Sequence, residues 1–394
     1  MTQGNTVLSL LDLNPRKYGS LEEYMVRVSD ALRLRGCRSI LAFPENVPDS
    51  LREKFQASGA VLELMPSEGA PLYRGLFRLL RKYRPDIVHF HFYNQFSLLP
   101  FLAASARPNA ILFTDHSRLP TPRRSTRAKC FLWDRIVLRQ LGVETLAVSA
   151  HIKRILENNY AMSPERVRVL LNGVNVSRFG AATWETRSAF FKEFDIPQDS
   201  KLIVAAGYFI PEKGFGDLLQ AAVTVRKARN DVVFMIVGDG PLDGWLKEES
   251  RKLGLADVVR FPGLRTDVDR FMAASDAVVV PSTWQEPAGL VVLEAMASAR
   301  PVVATRVGGI PEYLGDTKCG VLVQPGSPAE IADAILMILR DSSIARAMGA
   351  AARVRAEGLF SMEKWVSETM EVYGMPLADA FEPEIQLRTG IHGH

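Results

Sequence analysis

The chain has 394 residues, of which 47% are hydrophobic and 23% are charged, and its formal net charge is +4. This length predicts two domains rather than one core, and the composition excludes the disordered and fibrous classes. The sequence lacks a bilayer-spanning apolar run, a secretory leader, and metal- or disulfide-type spacing among its three cysteines. We therefore expect a cytoplasmic protein.

Short β-branched segments alternate with amphipathic segments along most of the chain, as is typical of βαβ units. In the first half, strands are predicted at 6–11, 39–43, 87–90, 111–114 and 145–148, with a helix at 21–35 that ends before Gly36. In the second half, strands are predicted at 202–206, 232–237, 258–261, 277–280, 301–304 and 320–323. Near-continuous apolar strands indicate parallel sheets covered by helices, so each half is predicted to be an α/β, doubly wound domain.

Three further segments complete this organisation. Residues 177–200 lack a clear strand and are predicted to connect the two halves. Residues 360–373 have the period of an amphipathic helix, whereas the last twenty residues show no strong period. We place the domains at 1–180 and 181–358, followed by a C-terminal helix at 359–374 and a tail at 375–394.

The segment 275–311 is the richest in chemistry. A strand runs into a loop with Glu286 and Pro287, and a helix is predicted to begin near Ala288 or Gly289, with Glu294 about two turns in. Free amides at such a helix start attract an anion, and the two carboxylates suit sugar hydroxyls. Taken alone, the two glutamates are better explained as capping and surface residues.

Glu286 and Glu294 resemble the E-x7-E signature of glycosyltransferase family 4, whose members are retaining enzymes of the GT-B fold. The resemblance extends along nearly the whole chain, in the ordered motifs GSLE (19–22), DIVHFH (86–91), TDH (114–116), LLNGV (170–174), GYFIPEKG (207–214), VGDGP (237–241) and VRFPG (259–263). It implies two facing Rossmann-like domains and a C-terminal helix that crosses back onto the first. The first domain would be the acceptor side, and the second would bind the nucleotide sugar.

The resemblance also implies roles for individual residues. Lys213 would lie against the donor diphosphate, Glu294 would accept hydrogen bonds from the ribose, and Glu286 would contact the donor sugar. His116 would face the sugar from across the cleft, so that Glu286, His116 and Lys213 form the expected catalytic set. The expected donor-binding residues are Gly19, Tyr208, Lys213, Gly289, Leu290, Val291 and Glu294. The expected acceptor-side residues are His89, His91 and Arg118, although His89 and His91 are equally open to a structural role.

The resemblance implies a sugar transfer that retains anomeric configuration without a metal or other cofactor, since lysine and a helix dipole replace the metal. The partners would be a nucleotide-sugar donor and a glycan or lipid-linked acceptor. The chain departs from the family at Tyr208, where an arginine is usual, and at Ser20, which replaces the second glycine of the family's Gly-Gly-x-Glu loop. Arg118, Arg265 and Arg306 are candidates for supplying the missing charge.

A basic stretch from Arg118 to Arg139 holds seven basic residues and one acidic residue, Asp134, beside Phe131, Leu132 and Trp133. This pattern suits peripheral contact with the cytoplasmic face of a membrane, although a solvated helix face explains it as well. Two other function classes stay open, namely a regulatory protein with a degenerate donor site and a GT-B nucleotide-sugar epimerase. Nucleic acid is not an expected partner, and no G-x-G-x-x-G follows a first strand, which disfavours a dinucleotide oxidoreductase.

Overall fold

The computed structural model describes residues 5–116, 124–315 and 318–377. The first sheet is built from β1 (Thr6–Leu11), β2 (Arg38–Phe43), β3 (Ala60–Leu64), β4 (Ile87–His91), β5 (Ala110–Asp115), β6 (Val143–Ala147) and β7 (Val167–Val169). The second sheet is built from β8 (Lys201–Ala206), β9 (Val232–Val237), β10 (Val259–Gly263), β11 (Ala277–Val280), β12 (Val302–Thr305) and β13 (Gly320–Val323).

Both sheets are fully parallel and share one topology. The strand order is β3-β2-β1-β4-β5-β6-β7 in the first sheet and β10-β9-β8-β11-β12-β13 in the second. The order reverses next to β1 and next to β8, which are the switch points where ligands of doubly wound folds bind. The predicted fold class, with two Rossmann-like parallel-sheet domains, is confirmed.

Helices cover the two faces of each sheet. In the first half they are α1 (Ser20–Leu34), α2 (Asp49–Ala57), α3 (Gly69–Tyr83), α4 (Leu99–Ala104), α5 (Arg124–Trp133), which continues as a π-helical turn (Asp134–Leu138), and α6 (Ala150–Tyr160). In the second half they are α7 (Trp184–Glu193), α8 (Phe215–Ala228), α9 (Asp243–Lys252), α10 (Val268–Ala274), α11 (Leu290–Ala297), α12 (Ile310–Leu314), α13 (Pro328–Arg340), α14 (Ser342–Leu359) and α15 (Met362–Val372). Within the described ranges, none of these helices combines the length and apolarity that crossing a bilayer requires.

The core of the first domain lies on both faces of its sheet because alternate strand residues point to opposite sides. Leu8 and Leu10 of β1 pack on one face, and Val7 and Leu11 pack on the other. Burial on both faces explains why the central strands are readable as continuous apolar runs.

Two strands of the first sheet, β3 and β7, were missed by the sequence prediction. β3 is an edge strand that exposes part of most of its residues, and β7 is an edge strand of only three residues. Neither gives a continuous apolar run, so periodicity does not detect them. The segment 177–200 indeed has no strand, but it contains α7, whose Phe190 and Phe191 are buried in the second domain's core.

The C-terminal helix α15 crosses back onto the first domain, as predicted. The Trp365 ring stacks on Tyr24 of α1, with ring centroids 3.8 Å apart, and the Tyr24 hydroxyl is hydrogen-bonded to Thr369 Oγ1 at 2.9 Å. The chain reaches this position through a bridge in which the Met362 amide donates to the Val174 carbonyl at 2.9 Å. The last helix therefore completes the core of the first domain. The exact domain bounds stay a prediction.

Candidate active site

The carboxyl ends of the two sheets face each other across a cleft that contains a cavity of about 220 Å³. Both domains line it. The first domain contributes Leu21, Phe92, His116, Val148 and Asn172, and the second contributes residues at and after the ends of β8 and β11 together with the starts of α11 and α12. The predicted donor-site residues Lys213, Glu286, Gly289, Leu290 and Val291 all lie in this lining. One cavity thus receives groups from several distant parts of the sequence.

Lys213 and Glu286 form an ion pair at the centre of the second domain's wall, with Lys213 Nζ 2.5 Å from Glu286 Oε1. The same carboxylate oxygen accepts a hydrogen bond from the Ser282 hydroxyl at 2.7 Å. Glu286 is buried, whereas Lys213 keeps about a quarter of its side chain exposed. The pair therefore places a fixed carboxylate and a partly accessible cation next to each other.

Local backbone geometry fixes the position of Lys213. Gly214 follows it with a φ of +68°, and a Cβ on Gly214 would lie 2.0 Å from the Pro281 carbonyl oxygen. Only glycine accepts both conditions, since a side chain would clash with the loop that carries Glu286. The Lys-Gly pair of the sequence therefore brings β8 and the β11 loop together.

A glycine pair that the sequence reading left without a role supports the Glu286 loop. The Gly309 amide donates to the Glu286 carbonyl at 2.7 Å, and the Gly308 amide donates to Gln285 Oε1 at 2.9 Å. A Cβ on Gly308 would lie 1.9 Å from the Glu286 carbonyl oxygen. Two adjacent glycines directly after β12 were the available signal for this close approach.

Helix α11 begins at Leu290 with Gly289 as its N-cap, one or two residues later than predicted. Its first-turn amides have no acceptor within the helix, so the amides of Leu290 and Val291 are available to an anion in the cavity. Glu294, one turn further on, is partly buried, and burial raises the pKa of its carboxyl above the usual range. Lys17 and Arg178 oppose that rise.

The two domains meet directly at Glu294. The Ser20 hydroxyl donates to Glu294 Oε1 at 2.8 Å, across the cleft. Ser20 stands where the family usually has a second glycine, so this contact depends on the departure from the motif. Gly19 forms the N-cap of α1, and its amide donates to Glu22 Oε2 at 3.0 Å. The GSLE segment therefore both starts α1 and touches the donor side.

Ser149 and the LLNGV segment of the first domain contact the second domain. The Ser149 hydroxyl donates to the Pro287 carbonyl at 2.6 Å. The Tyr313 hydroxyl donates to the Val148 carbonyl at 2.5 Å and accepts from the Asn172 amide at 3.0 Å. These contacts join the segments that follow β6 and β7 of the first domain to the Pro287 loop and α12 of the second. Sequence reasoning gave no role to Tyr313, whose partners are remote in the chain.

Three histidines of the first domain form a continuous column. The His89 and His91 rings have centroids 3.9 Å apart, and His91 Nδ1 lies 3.2 Å from His116 Nε2. His116 stacks on Phe92, with centroids 4.6 Å apart, and these two residues reach the cavity. Burial lowers the pKa of His116 and of His89 to about 3 and lowers that of His91 well below its usual value. All three rings are therefore neutral near pH 7.

The three histidines differ in their access to the cavity. His89 is fully buried and hydrogen-bonded to the Tyr373 hydroxyl at 2.8 Å and to Thr114 Oγ1 at 2.7 Å. His91 is also buried and reaches the cavity only through His116. This geometry favours the structural alternative for His89 and His91, while His116 faces the cavity as predicted. Arg118, the third predicted acceptor-side residue, lies outside the described residues.

Tyr208 lies on the loop that follows β8 and is 44% exposed. Its neighbour Gly207 is close to Lys213, since a Cβ there would lie 4.0 Å from Lys213 Cδ. Of the candidates for a replacement charge, Arg265 is bound to both oxygens of Asp267 at 2.8 Å, and Arg306 is exposed. Among the described residues, no group of three or more His, Cys, Asp or Glu side chains is arranged to hold a metal ion.

Comparison with known proteins agrees with this geometry. The family model for glycosyl transferases group 1 matches residues 186–355, and that for Glycosyltransferase Family 4 matches residues 21–178. The chain therefore belongs to glycosyltransferase family 4, as the sequence motifs predicted.

Curated relatives match parts of the chain. The D-inositol 3-phosphate glycosyltransferase of Streptomyces scabiei is 34% identical over 236 residues, which are 57% of this chain and 52% of that protein. The N-acetyl-alpha-D-glucosaminyl L-malate synthase of Bacillus anthracis is 34% identical over 188 residues, or 48% of this chain and 49% of that protein. The chain thus spans about half the length of these relatives.

Solved structures match nearly the whole chain. A glycosyltransferase from Rickettsia africae superimposes with a TM-score of 0.81 at 22% identity, covering 94% of this chain and 97% of that chain. HepE of Anabaena, crystallised with UDP-glucose, superimposes with a TM-score of 0.79 at 21% identity, covering 94% and 99%. These likenesses establish the GT-B fold.

Proposed function

We propose that the chain is a retaining glycosyltransferase that transfers a sugar from a nucleotide-sugar donor to an acceptor bound against the first domain. The observation that carries this proposal is the convergence of Lys213, Glu286 and the α11 amides on one cavity. A cation and a helix start suit a diphosphate, while fixed carboxylates suit sugar and ribose hydroxyls. The names of the relatives support a sugar transfer, and the GT-B fold supports a donor site in the second domain.

The proposed chemistry needs no dedicated base, metal or other cofactor. The bond between the anomeric carbon and the donor's phosphate oxygen breaks, and the acceptor hydroxyl oxygen bonds to that carbon on the same face. The departing phosphate oxygen takes the acceptor proton. Lys213 and the amides of Leu290 and Val291 stabilise the charge on the departing diphosphate. The neutral His116 ring and the Glu286 carboxylate position the sugar from opposite walls of the cleft.

A thermal-shift screen against UDP, GDP, ADP and their common sugar conjugates tests the donor site. Ligands that bind the native state raise its stability, so one nucleotide family is expected to raise Tm. Lys213→Ala and Glu294→Ala are expected to remove most of that shift. Lys247→Ala is the matched control, because Lys247 pairs with Asp243 on the surface of α9 and lies outside the cavity lining.

The same screen decides between the transferase and the regulatory alternative. Tyr208 is the residue that favours a degenerate donor site, since it brings no charge to the position where an arginine is usual. If no nucleotide raises Tm at millimolar concentration, the transferase proposal is wrong. If a nucleotide binds but its sugar conjugate is never cleaved with any acceptor, the chain is a nucleotide-sugar-binding regulator. Conversion of the sugar conjugate into an epimer would instead support the epimerase.

The acceptor proposal rests on a surface of the first domain that we call the basic–aromatic face, formed by α4, α5 and the π-helical turn. Its exposed apolar residues are Leu98, Phe101, Phe131, Leu132 and Ile136. Its exposed cations are Arg127, Lys129, Arg135 and Arg139. Asp134 is fully buried, where it accepts hydrogen bonds from Ser163, so it does not offset these charges at the surface.

Apolar side chains flanked by cations suit the headgroup region of an anionic bilayer. We therefore propose a glycan or lipid-linked acceptor that is met at the cytoplasmic face of a membrane. The chain is expected to float with vesicles of phosphatidylglycerol and phosphatidylcholine but not with phosphatidylcholine alone. Arg135→Ala with Arg139→Ala should abolish flotation and leave the nucleotide-dependent Tm shift intact. Equal flotation of wild type and variant, or none of either, would contradict the membrane proposal.

A further inference from the structure

Tyr208 puts an uncharged, exposed side chain on the loop that follows β8, next to Gly207, whose backbone is close to Lys213. A diphosphate held there by Lys213 alone would keep part of its charge unpaired. A second cation would therefore have to reach Tyr208 from elsewhere in the fold.

Arg16 is such a group, and it comes from the opposite domain. Its guanidinium carbon lies 6.0 Å from the centroid of the Tyr208 ring. Its nearest carboxylate is that of Asp239 at 4.0 Å, and the Arg16 side chain is 67% exposed. An ion pair at 4.0 Å between two exposed groups is weak, so Arg16 can exchange Asp239 for a stronger anion.

The segment that carries Arg16 is anchored next to the donor site. It connects β1 to α1 at the carboxyl edge of the first sheet, and it ends at Ser20, which is hydrogen-bonded to Glu294. The Tyr18 carbonyl accepts a hydrogen bond from Arg178 at 3.4 Å. Lys17, in the same segment, acts electrostatically on Glu294. The β1–α1 segment thus presents two cations toward the second domain.

We propose that Arg16 supplies, from the facing domain, the guanidinium contact to the donor diphosphate that Tyr208 does not provide. This inference rests on the proposed donor site. A guanidinium offers paired donors to phosphate oxygens, and Lys213 offers a point charge from the other side. Because the two cations belong to different domains, a bound diphosphate holds both domains and favours the closed cleft.

Binding of UDP, GDP and ADP, each compared with its monophosphate, tests this role by titration calorimetry. For the diphosphate that binds wild type best, Arg16→Ala is expected to raise Kd roughly tenfold to a hundredfold, the loss typical of one charge-assisted contact. The monophosphate should lose much less. Adding Tyr208→Arg to Arg16→Ala should restore most of the affinity, because it returns the charge within the second domain.

Arg38→Ala is the matched control, because Arg38 is an exposed arginine at the opposite end of the first sheet, where β2 begins. It should leave Kd unchanged. If the wild type binds a diphosphate and Arg16→Ala does not weaken that binding, the inference about Arg16 is wrong while the proposed donor site stands. The same holds if diphosphate and monophosphate lose equal affinity. A wild-type protein that binds none of these nucleotides overturns the proposed donor site, and the role of Arg16 with it.

Discussion

The second domain's wall of the cleft takes its polar groups from two short segments, 207–214 and 281–294. The facing wall instead combines a residue of α1 with residues that follow β4, β5, β6 and β7, and Tyr373 at the end of α15 supports it from behind. Lys213 and Glu286 touch each other directly. His116, by contrast, reaches Tyr373 only through His91 and His89. One wall is specified by local motifs, and the other depends on long-range packing.

We call the wall formed by the first domain the first wall and that formed by the second domain the second wall. The difference predicts that substitutions remote from the cavity damage the first wall, whereas the second wall is damaged by substitutions within its own two segments. The largest effect is expected for Trp365→Ala, which removes the ring that stacks on Tyr24. Deleting a buried tryptophan should lower the free energy of unfolding by about 3–5 kcal/mol. Urea unfolding measures this change, and Trp184→Ala is the matched control because Trp184 is 68% exposed. Equal losses in the two variants would show that α15 does not support the first domain.

On the second wall, Lys213→Ala should lower the rate of donor cleavage by ~10²–10³-fold, the range for removing one group that stabilises developing charge. The measurement is release of nucleoside diphosphate from the sugar conjugate that stabilises the protein. Urea unfolding measures the loss of stability separately, because the buried Glu286 carboxylate loses its cation in this variant and keeps the hydrogen bond from Ser282. The interpretation of the cleft as a catalytic site would fail if Lys213→Ala and the surface variant Lys247→Ala cleaved the donor equally fast.

The same contrast explains what the sequence could predict. The Lys213–Gly214 turn and the Glu286–Glu294 spacing are written in contiguous residues, so both the fold and the donor wall could be anticipated. Arg16 could not, because its position over Tyr208 depends on how the two domains face each other. The role of His89 was open for a similar reason, since its partner Tyr373 lies 284 residues away.

Variants of His89 and His116 test whether the buried histidine stabilises the first domain while the histidine at the cavity contacts the substrate. His89→Gln should lower the free energy of unfolding by about 1–3 kcal/mol, because the buried Tyr373 and Thr114 hydroxyls lose a partner. His116→Gln, at the cavity, should slow donor cleavage with a smaller loss of stability. Urea unfolding and donor cleavage measured on both variants give the comparison. The reverse pattern would place His89 rather than His116 at the substrate.

The histidine column also predicts an acid-labile first domain. A histidine whose folded-state pKa is about 3 binds fewer protons than the unfolded chain between that value and about 6.5. The histidines therefore leave the free energy of unfolding undiminished above pH 6.5. Below that pH it falls by about 1.4 kcal/mol per pH unit for each such histidine. Urea unfolding at several pH values measures the slope. His89→Gln should make the slope shallower, and an unchanged slope would contradict neutral burial of His89.

The smallest effect concerns Glu294, where the two walls touch. Burial raises the pKa of this carboxyl, so it takes up a proton at a higher pH than an ordinary glutamate does. A protonated Glu294 accepts ribose hydrogen bonds less well, and the Kd for the nucleotide should therefore rise on acidification, by at most about tenfold per pH unit. Glu294→Gln should bind more weakly near neutral pH but lose this part of the pH dependence, because the amide does not titrate. Calorimetry on both proteins at the same pH values isolates the carboxyl, since titration of the nucleotide's phosphates is common to both. Parallel curves would mean that Ser20, Lys17 and Arg178 keep Glu294 ionised, and that the hydrogen bond across the cleft, rather than burial, governs its charge.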